Sequence, residues 1–314
     1  MLRPGSPRPM NFGPSDAPNA ESANKMSYQI FTDATADHSS SMMAGLPPVE
    51  VIPMQVEIGG REYTYGPHGT ISAEEFYALQ KAGNFAATSQ INPAVYFECF
   101  EPCLKEGKDI LYLCFSSGMS GTYQSAQICV EELRKEYPDR TIICIDTLDA
   151  SVGEGLLVCE AARKQAEGFS LHELADWVME HRLQVCHWFT VDAFDHLHHG
   201  GRVSAVAAVV GTMLSVKPLL HVDKAGKLVV TEKPRGRKRA IAAQLARMKA
   251  GWTPDTSKQV IIGHGDCPDG AQQLKKTVLA EFHDAEIAVA DIGPIIGSHT
   301  GPGMLALIYW GSNR

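Results

Sequence analysis

From residue 28 onward, apolar runs of strand length alternate with stretches of helical periodicity. "YQIFTDATAD" is a short apolar strand ending in Asp33 and Thr35. "VEVIPMQVEIGGREY" places apolar and polar positions in turn around a Gly-Gly pair, the pattern of strand, tight turn and strand. The spacing predicts a helix after Ser72, with Glu75 as its capping-box partner, and another opening near Pro93. "KDILYLCF" and "RTIICIDT" read as buried strands. "SGTYQSAQICVEELRKEYPD", "VGEGLLVCEAARKQAEG" and "SLHELADWVMEHRLQV" read as helices, the last with Ser170 and Glu173 in capping-box spacing.

This alternation predicts a parallel sheet with covering helices in the first half. The order changes after about residue 186. "CHWFTVDAF" reads as a strand, and "HLHHGGRVSAVAAVVGTML" leads into an apolar helix. "SVKPLLHVDKAGKLVVTEKPRG" reads as strand, turn, strand, and three further strands follow in "KQVIIGHGD", "EIAVADIG" and "MLALIYWG". The expected architecture is a two-domain α/β fold. Residues 1–26, rich in Pro, Gly, Ser and Asn, form a disordered tail; 27–186 form an α/β domain; 187–314 form a mixed-sheet α+β domain.

Composition narrows the function classes. Apolar residues are 44% of the 314 and charged residues 20%, which suits a globular chain. A net charge of −8 argues against a general nucleic-acid surface. The eight cysteines include no C-x-x-C pair, and several lie in apolar runs, so they read as small buried hydrophobes in a reducing cytoplasm. The first 25 residues lack an apolar core of the secretory type, and the uncharged stretch between Arg202 and Lys217 is too short to span a bilayer. A cytoplasmic location is expected.

Four small-residue segments carry the candidate chemistry. "ATSQINP" sets Thr88 and Ser89 just before a helix start, where simple N-capping is the bland explanation. "FSSGMSGTYQSA" lies between a strand and a helix whose N-terminus attracts carboxylate or phosphate, and it lacks the Walker pattern. "HHGGRVS" supplies a tight turn and the cation of Arg202. His196 and His198 alternate there as on a strand, but no carboxylate set completes a metal site. "DIGPIIGSHTGPG" places His299 in a Gly-rich loop, where facing a ligand is favoured over a surface role. The basic run "KPRGRKR", Lys233 to Arg239, is read as a solvated helix start ahead of a docking patch for an acidic partner, a phosphate or an anionic membrane.

Taken in order, "TDATAD", "TSQ", "SSGMSGTYQSA", "GGRVS" and "GPIIGSHTGPG" resemble the DegV family of bacterial fatty-acid-binding proteins, over nearly everything from Tyr28 onward. The chain departs from the usual family pattern at Ala34 and His38, in "LHHGGR", and in the proline displaced to Pro93. The resemblance implies a long acyl chain buried between two domains, with no cofactor, no metal and no covalent chemistry by the protein itself. It also implies a partner fatty acid kinase that makes acyl phosphate, a place in phospholipid metabolism, and transient contact with a membrane surface. Carried onto this chain, the ligand-binding residues are Thr88, Ser89, Ser117, Gly118, Arg202, His299 and Thr300. Ser117 is the expected contacting hydroxyl, and Ser120 a helix cap. Tail-lining residues are expected in the apolar helix Val203 to Leu214, including Met213, where ordinary core packing is an equal reading.

Two other classes compete. A serine hydrolase would use Ser120, Asp291 and His299, in the order of a nucleophile-elbow enzyme, but Thr122 stands where the elbow needs its last glycine. A doubly wound nucleotide-binding enzyme needs G-x-G-x-x-G after the first strand, where "DATAD" stands instead.

Overall fold

A computed structural model describes residues 28–38, 40–203, 216–312 and 314. The expected tail at 1–26 lies outside these. So does the helix expected over Val203 to Leu214, apart from Val203 itself, and Met213 is thus not described.

Three sheets organise the described residues. The first is parallel throughout, in the order β2-β1-β6-β7, from Glu50–Ile52 (β2), Tyr28–Asp33 (β1), Asp109–Cys114 (β6) and Ile142–Asp146 (β7). Its two central strands are almost wholly buried and correspondingly rich in Ile, Leu, Phe and Tyr. The second has six strands. Leu228–Glu232 (β10), Leu219–Val222 (β9), Val185–Thr190 (β8), Leu305–Trp310 (β13), Gln259–His264 (β11) and Glu286–Asp291 (β12) lie side by side in that order. Only β11 and β12 pair parallel. Pro53 separates β2 from Met54–Ile58 (β3), so the chain leaves the first sheet there. A small antiparallel sheet follows, with β3 between Arg61–Tyr65 (β4) and Ala86–Thr88 (β5). Gly59 and Gly60 turn the β3–β4 hairpin with φ of +61° and +73°, as a two-residue hairpin requires.

Both capping boxes form. Ser72 opens Ala73–Lys81 (α1), and Ser170 opens Leu171–His181 (α5). Pro93 stands in the first turn of Pro93–Lys105 (α2), but Asn92 caps that helix, so Thr88 and Ser89 are not its N-caps. Thr122–Glu136 (α3) begins after Gly121. Ser120 lies one residue outside the cap position, and its Oγ accepts the Thr122 N–H at 3.2 Å. His196 and His198 sit on a short helix, Asp195–His199 (α6), rather than on a strand. The 186/187 boundary expected between domains falls inside β8.

Ser151–Ala166 (α4) joins the two halves. Twelve of its sixteen residues are buried, and it packs against β8, β11 and β13 of the second sheet although it follows β7 of the first. Its weakly amphipathic sequence fits burial on most sides. One hydrophobic cluster accordingly runs from Ile30, Leu111 and Leu113 through Leu156 and Leu157 to Phe189, Ile261 and Ile308. Arg237–Gly251 (α7) and Pro268–Glu281 (α8) cover the second sheet, and Pro294–Thr300 (α9) contacts β3 and β5 of the small sheet.

Candidate functional site

A cavity lies between the halves, with about 770 Å³ of space not occupied by atoms, some of it open to solvent. Most of its wall is apolar. Met54, Phe115 and Met119 come from the first half, and Phe189, Ile295 and Ile308 from the second. The apolar lining is therefore spread over several strands and α9.

At one end the wall becomes polar. Thr88 is the last residue of β5, and its hydroxyl meets His299 Nε2 at 2.8 Å, either atom donating according to the tautomer. His299 lies on α9, not in the Gly-rich loop expected, because Pro294 at the first position starts a helix that Gly301 ends at φ +73°. Its Nδ1 is buried without a hydrogen-bond partner. Burial, then the Arg202 guanidinium, then His199 hold its pKa down to about 4, so the ring is neutral at physiological pH. Arg202 Nε donates to the Met119 carbonyl at 3.2 Å, and Nη1 to that of Gly200. These bonds set its guanidinium into the wall, where burial lowers its pKa. Ser89 and Thr300 also line the cavity. The Thr300 hydroxyl already donates to the Ile296 carbonyl at 3.1 Å.

The serine loop divides by position. Ser120 lines the cavity, whereas Ser117 and Gly118 do not appear in its wall. Ser117 donates its N–H to Asp146 Oδ1 at 3.1 Å, at the end of β7. Ser116 donates its hydroxyl to the Gly226 carbonyl at 2.8 Å, in the turn between β9 and β10. A Cβ on Gly118 would come within 2.6 Å of the Ala225 and Gly226 carbonyl oxygens, so this glycine permits the loop to touch the hairpin turn. Val222 and Leu228, which flank that turn, both line the cavity.

The hydrolase arrangement does not assemble. His299 turns to Thr88, the Ser120 hydroxyl lies 2.8 Å from that of Thr122, and Asp291 sits across from His264 at 3.4 Å. Among the described residues no group of three or more His, Cys, Asp or Glu side chains could hold a metal ion. No helix among them is long and apolar enough to cross a membrane.

Ser151 and His187 line the cavity from segments whose pattern marks neither, and Gln90, inside "TSQ" but not singled out there, lines it too. Ser151 opens α4 inside "DASVGEG", which reads simply as a helix start.

Two α/β halves enclosing a mostly apolar cavity with a hydroxyl, imidazole and guanidinium cluster at one end define the class of protein. The chain belongs to the DegV family: the model for that family, described as one of uncharacterised proteins, matches residues 27–311. A DegV domain-containing protein of Clostridium perfringens is 38% identical over 287 residues, covering 91% of this chain and 98% of that one. Among solved structures, a fatty-acid-binding DegV family protein from Thermus thermophilus superposes with a TM-score of 0.79 at 28% identity, covering 91% of this chain and all of the other. The Streptococcus pneumoniae fatty acid kinase B3 protein, loaded with linoleic acid, has a TM-score of 0.80 at 20% identity, covering 91% of this chain and all of the other. At that identity the likeness shows the fold alone.

Proposed function

We propose that this protein binds a long-chain fatty acid and presents it to a separate fatty acid kinase. The tail lies along the apolar wall, and the carboxylate lies among Thr88, Ser89, Arg202 and His299. Ser120 borders the same space. Ser117 and Gly118 act at one remove, by holding the loop against the β9–β10 turn. The protein itself makes and breaks no bond in this reading.

The observation that carries the reading is the pairing of an apolar cavity with one cationic, hydroxyl-rich end. Each buried methylene favours binding by about 0.8 kcal/mol, so the tail supplies most of the affinity. A carboxylate taken from water needs charge and donors to offset its desolvation. Arg202 supplies both, and the Thr88–His299 pair, with one of its two protons held in their mutual bond, supplies one directed hydrogen bond. The fatty-acid-binding Thermus relative supports the ligand class. Presentation to a partner is supported by the way the polar end approaches the surface: Ser89, Gln90, His199 and Gly201 are exposed there. Phe85, 47% exposed, stacks on His199 beside that opening, with ring centroids 4.7 Å apart.

Denaturing extraction of purified protein followed by mass spectrometry tests the reading. A long-chain fatty acid near one per chain is expected. Protein that is empty and also fails to bind such acids in titration overturns it. The kinase step is tested separately by adding a bacterial fatty acid kinase and ATP and following acyl phosphate, which is expected only when this protein is present and loaded.

A further inference from the structure

The apolar wall contains a second polar place. Ala150, Ser151 and Val152, at the start of α4, line the cavity. This sixteen-residue helix begins without a side-chain cap, since Ala150 carries none. The Gly153 and Glu154 N–H groups both donate to the Ala150 carbonyl at 3.2 Å, and those of Ser151 and Val152 have no acceptor within the helix. Beside them stands His187 of β8, 3% exposed and also in the cavity wall. Its Nδ1 lies 3.0 Å from the Val185 carbonyl, which can only accept, so Nδ1 holds the ring's proton. Nε2 keeps its lone pair and has no donor beside it, while the Ala150 carbonyl also bears on the ring. It points at the first turn of α4, where a Cβ on Gly153 would come within 2.0 Å of it. The nearest ionic group is Asp149 Oδ1 at 3.5 Å. Burial first, and then the Arg314 guanidinium, keep this imidazole well below its ordinary pKa and hence neutral.

Ser151 adds to the same spot. It holds φ at +56°, in the left-handed region that non-glycine residues seldom occupy. Its hydroxyl donates to Asp37 Oδ2 at 2.7 Å, so its Oγ retains acceptor capacity. Asp37, itself at φ +46°, accepts the Gly293 N–H through its other oxygen at 2.9 Å.

A plain alkyl chain passing this wall leaves both the Nε2 lone pair and the helix N–H groups unpaired. A hydroxyl group satisfies both kinds, because it donates one hydrogen bond and accepts others. A keto oxygen can only accept and leaves Nε2 unpaired. We propose that the first turn of α4, with Ser151 and His187, is a second polar subsite that receives a hydroxyl on the middle of the acyl chain, so that mid-chain hydroxylated fatty acids are the preferred ligands. Its place along the chain follows from α9. Gly293, tied through Asp37 to Ser151, stands at the start of that helix, whereas His299, which meets Thr88, lies near its end. The two polar places therefore border opposite ends of α9, which sets the hydroxyl along the chain and away from the carboxylate.

The inference rests on the fatty-acid reading above. The test is competitive binding to delipidated full-length protein of octadecanoic acid and of its α-hydroxy, mid-chain hydroxy, mid-chain oxo and ω-hydroxy derivatives. The mid-chain hydroxy acid is expected to bind about five- to tenfold more tightly than the plain acid, with the other derivatives no better than it. S151A and H187F should each bring that ratio close to one. If no derivative binds at all, nor the plain acid, the fatty-acid reading fails. If the plain acid binds and no mid-chain hydroxy isomer exceeds it, or if both variants keep the preference, the subsite is overturned while the fatty-acid reading stands. Should either variant misfold, the positional comparison on the wild-type protein decides.

Discussion

Two of the polar clusters among the described residues are built in opposite ways. The one made by the "TDATAD" segment is closed. Asp33 accepts the Thr35 N–H at 3.1 Å and hydroxyl at 2.5 Å on one oxygen, and the Tyr112 hydroxyl at 2.9 Å and Phe115 N–H at 3.1 Å on the other. Thr35 also meets Glu154 at 2.7 Å. One threonine proton cannot serve two carboxylates, and a protonated Glu154 supplies the second. Burial first, then Asp33, push the Glu154 carboxyl well above its ordinary range, in keeping with that. The cluster at Thr88, His299 and Arg202 is open. It carries a permanent cation, an unpartnered imidazole nitrogen and a contact with the cavity. A closed network has all its partners within the fold, whereas an open one keeps capacity for a further partner. The difference separates two motifs that look equally conspicuous in the sequence.

Substitutions should therefore move stability in one cluster and affinity in the other. The largest effect expected is from D33A, which strips acceptors from four buried donor groups and should lower unfolding free energy by about 3 kcal/mol or more in denaturant titration. E154Q, which mimics the protonated acid, should cost about 1 kcal/mol or less. R202A should leave unfolding within about 1 kcal/mol of wild type yet weaken fatty acid binding roughly ten- to a hundredfold, the loss of a charge-assisted hydrogen bond. If R202A unfolds the protein and leaves affinity untouched, the two clusters have been assigned the wrong way round.

Titration sharpens the same contrast. His299 has its pKa lowered to about 4, so the folded state takes up a proton less readily than the unfolded chain. Its contribution to stability is present above about pH 6.5 and is lost as pH falls towards 4. Asp37 has its pKa raised to about 7, by burial chiefly, offset in part by its bonds to Ser151 and Gly293. The sign reverses: its contribution is fully present below about pH 4 and is lost as pH rises through 7. D37N should flatten the decline in melting temperature between pH 5 and pH 8, and an unchanged slope would remove Asp37 from that role. The smallest effect expected is from S117A, which should change affinity less than twofold because its side chain is not in the cavity wall, whereas S120A should change it more.

Much of this organisation is legible in the sequence. Local rules sufficed where the physics is local: the capping boxes at Ser72 and Ser170, the Gly59–Gly60 turn, and the apolar strands at Asp109–Cys114 and Ile142–Asp146. They failed where the outcome depends on distant partners. The small residues around His299 read as a loop, and Pro294 together with packing on the small sheet makes them helical. Ser117 and Ser120 cannot be ranked from spacing, since the β9–β10 turn, a hundred residues downstream, decides which way the loop faces. Ser151 and His187 were invisible for the same reason. Neither has a motif, and only the packing of α4 on the second sheet brings them together.

The central claim concerns where the ligand's charge sits. The most direct test is a crystal structure of delipidated protein reloaded with octadecanoic acid. The account predicts carboxylate oxygens within hydrogen-bonding distance of the Thr88 hydroxyl, His299 and Arg202, with the tail along Phe115, Phe189 and Ile308. A carboxylate at the opposite end of the cavity, or a tail lying outside it, would contradict the account.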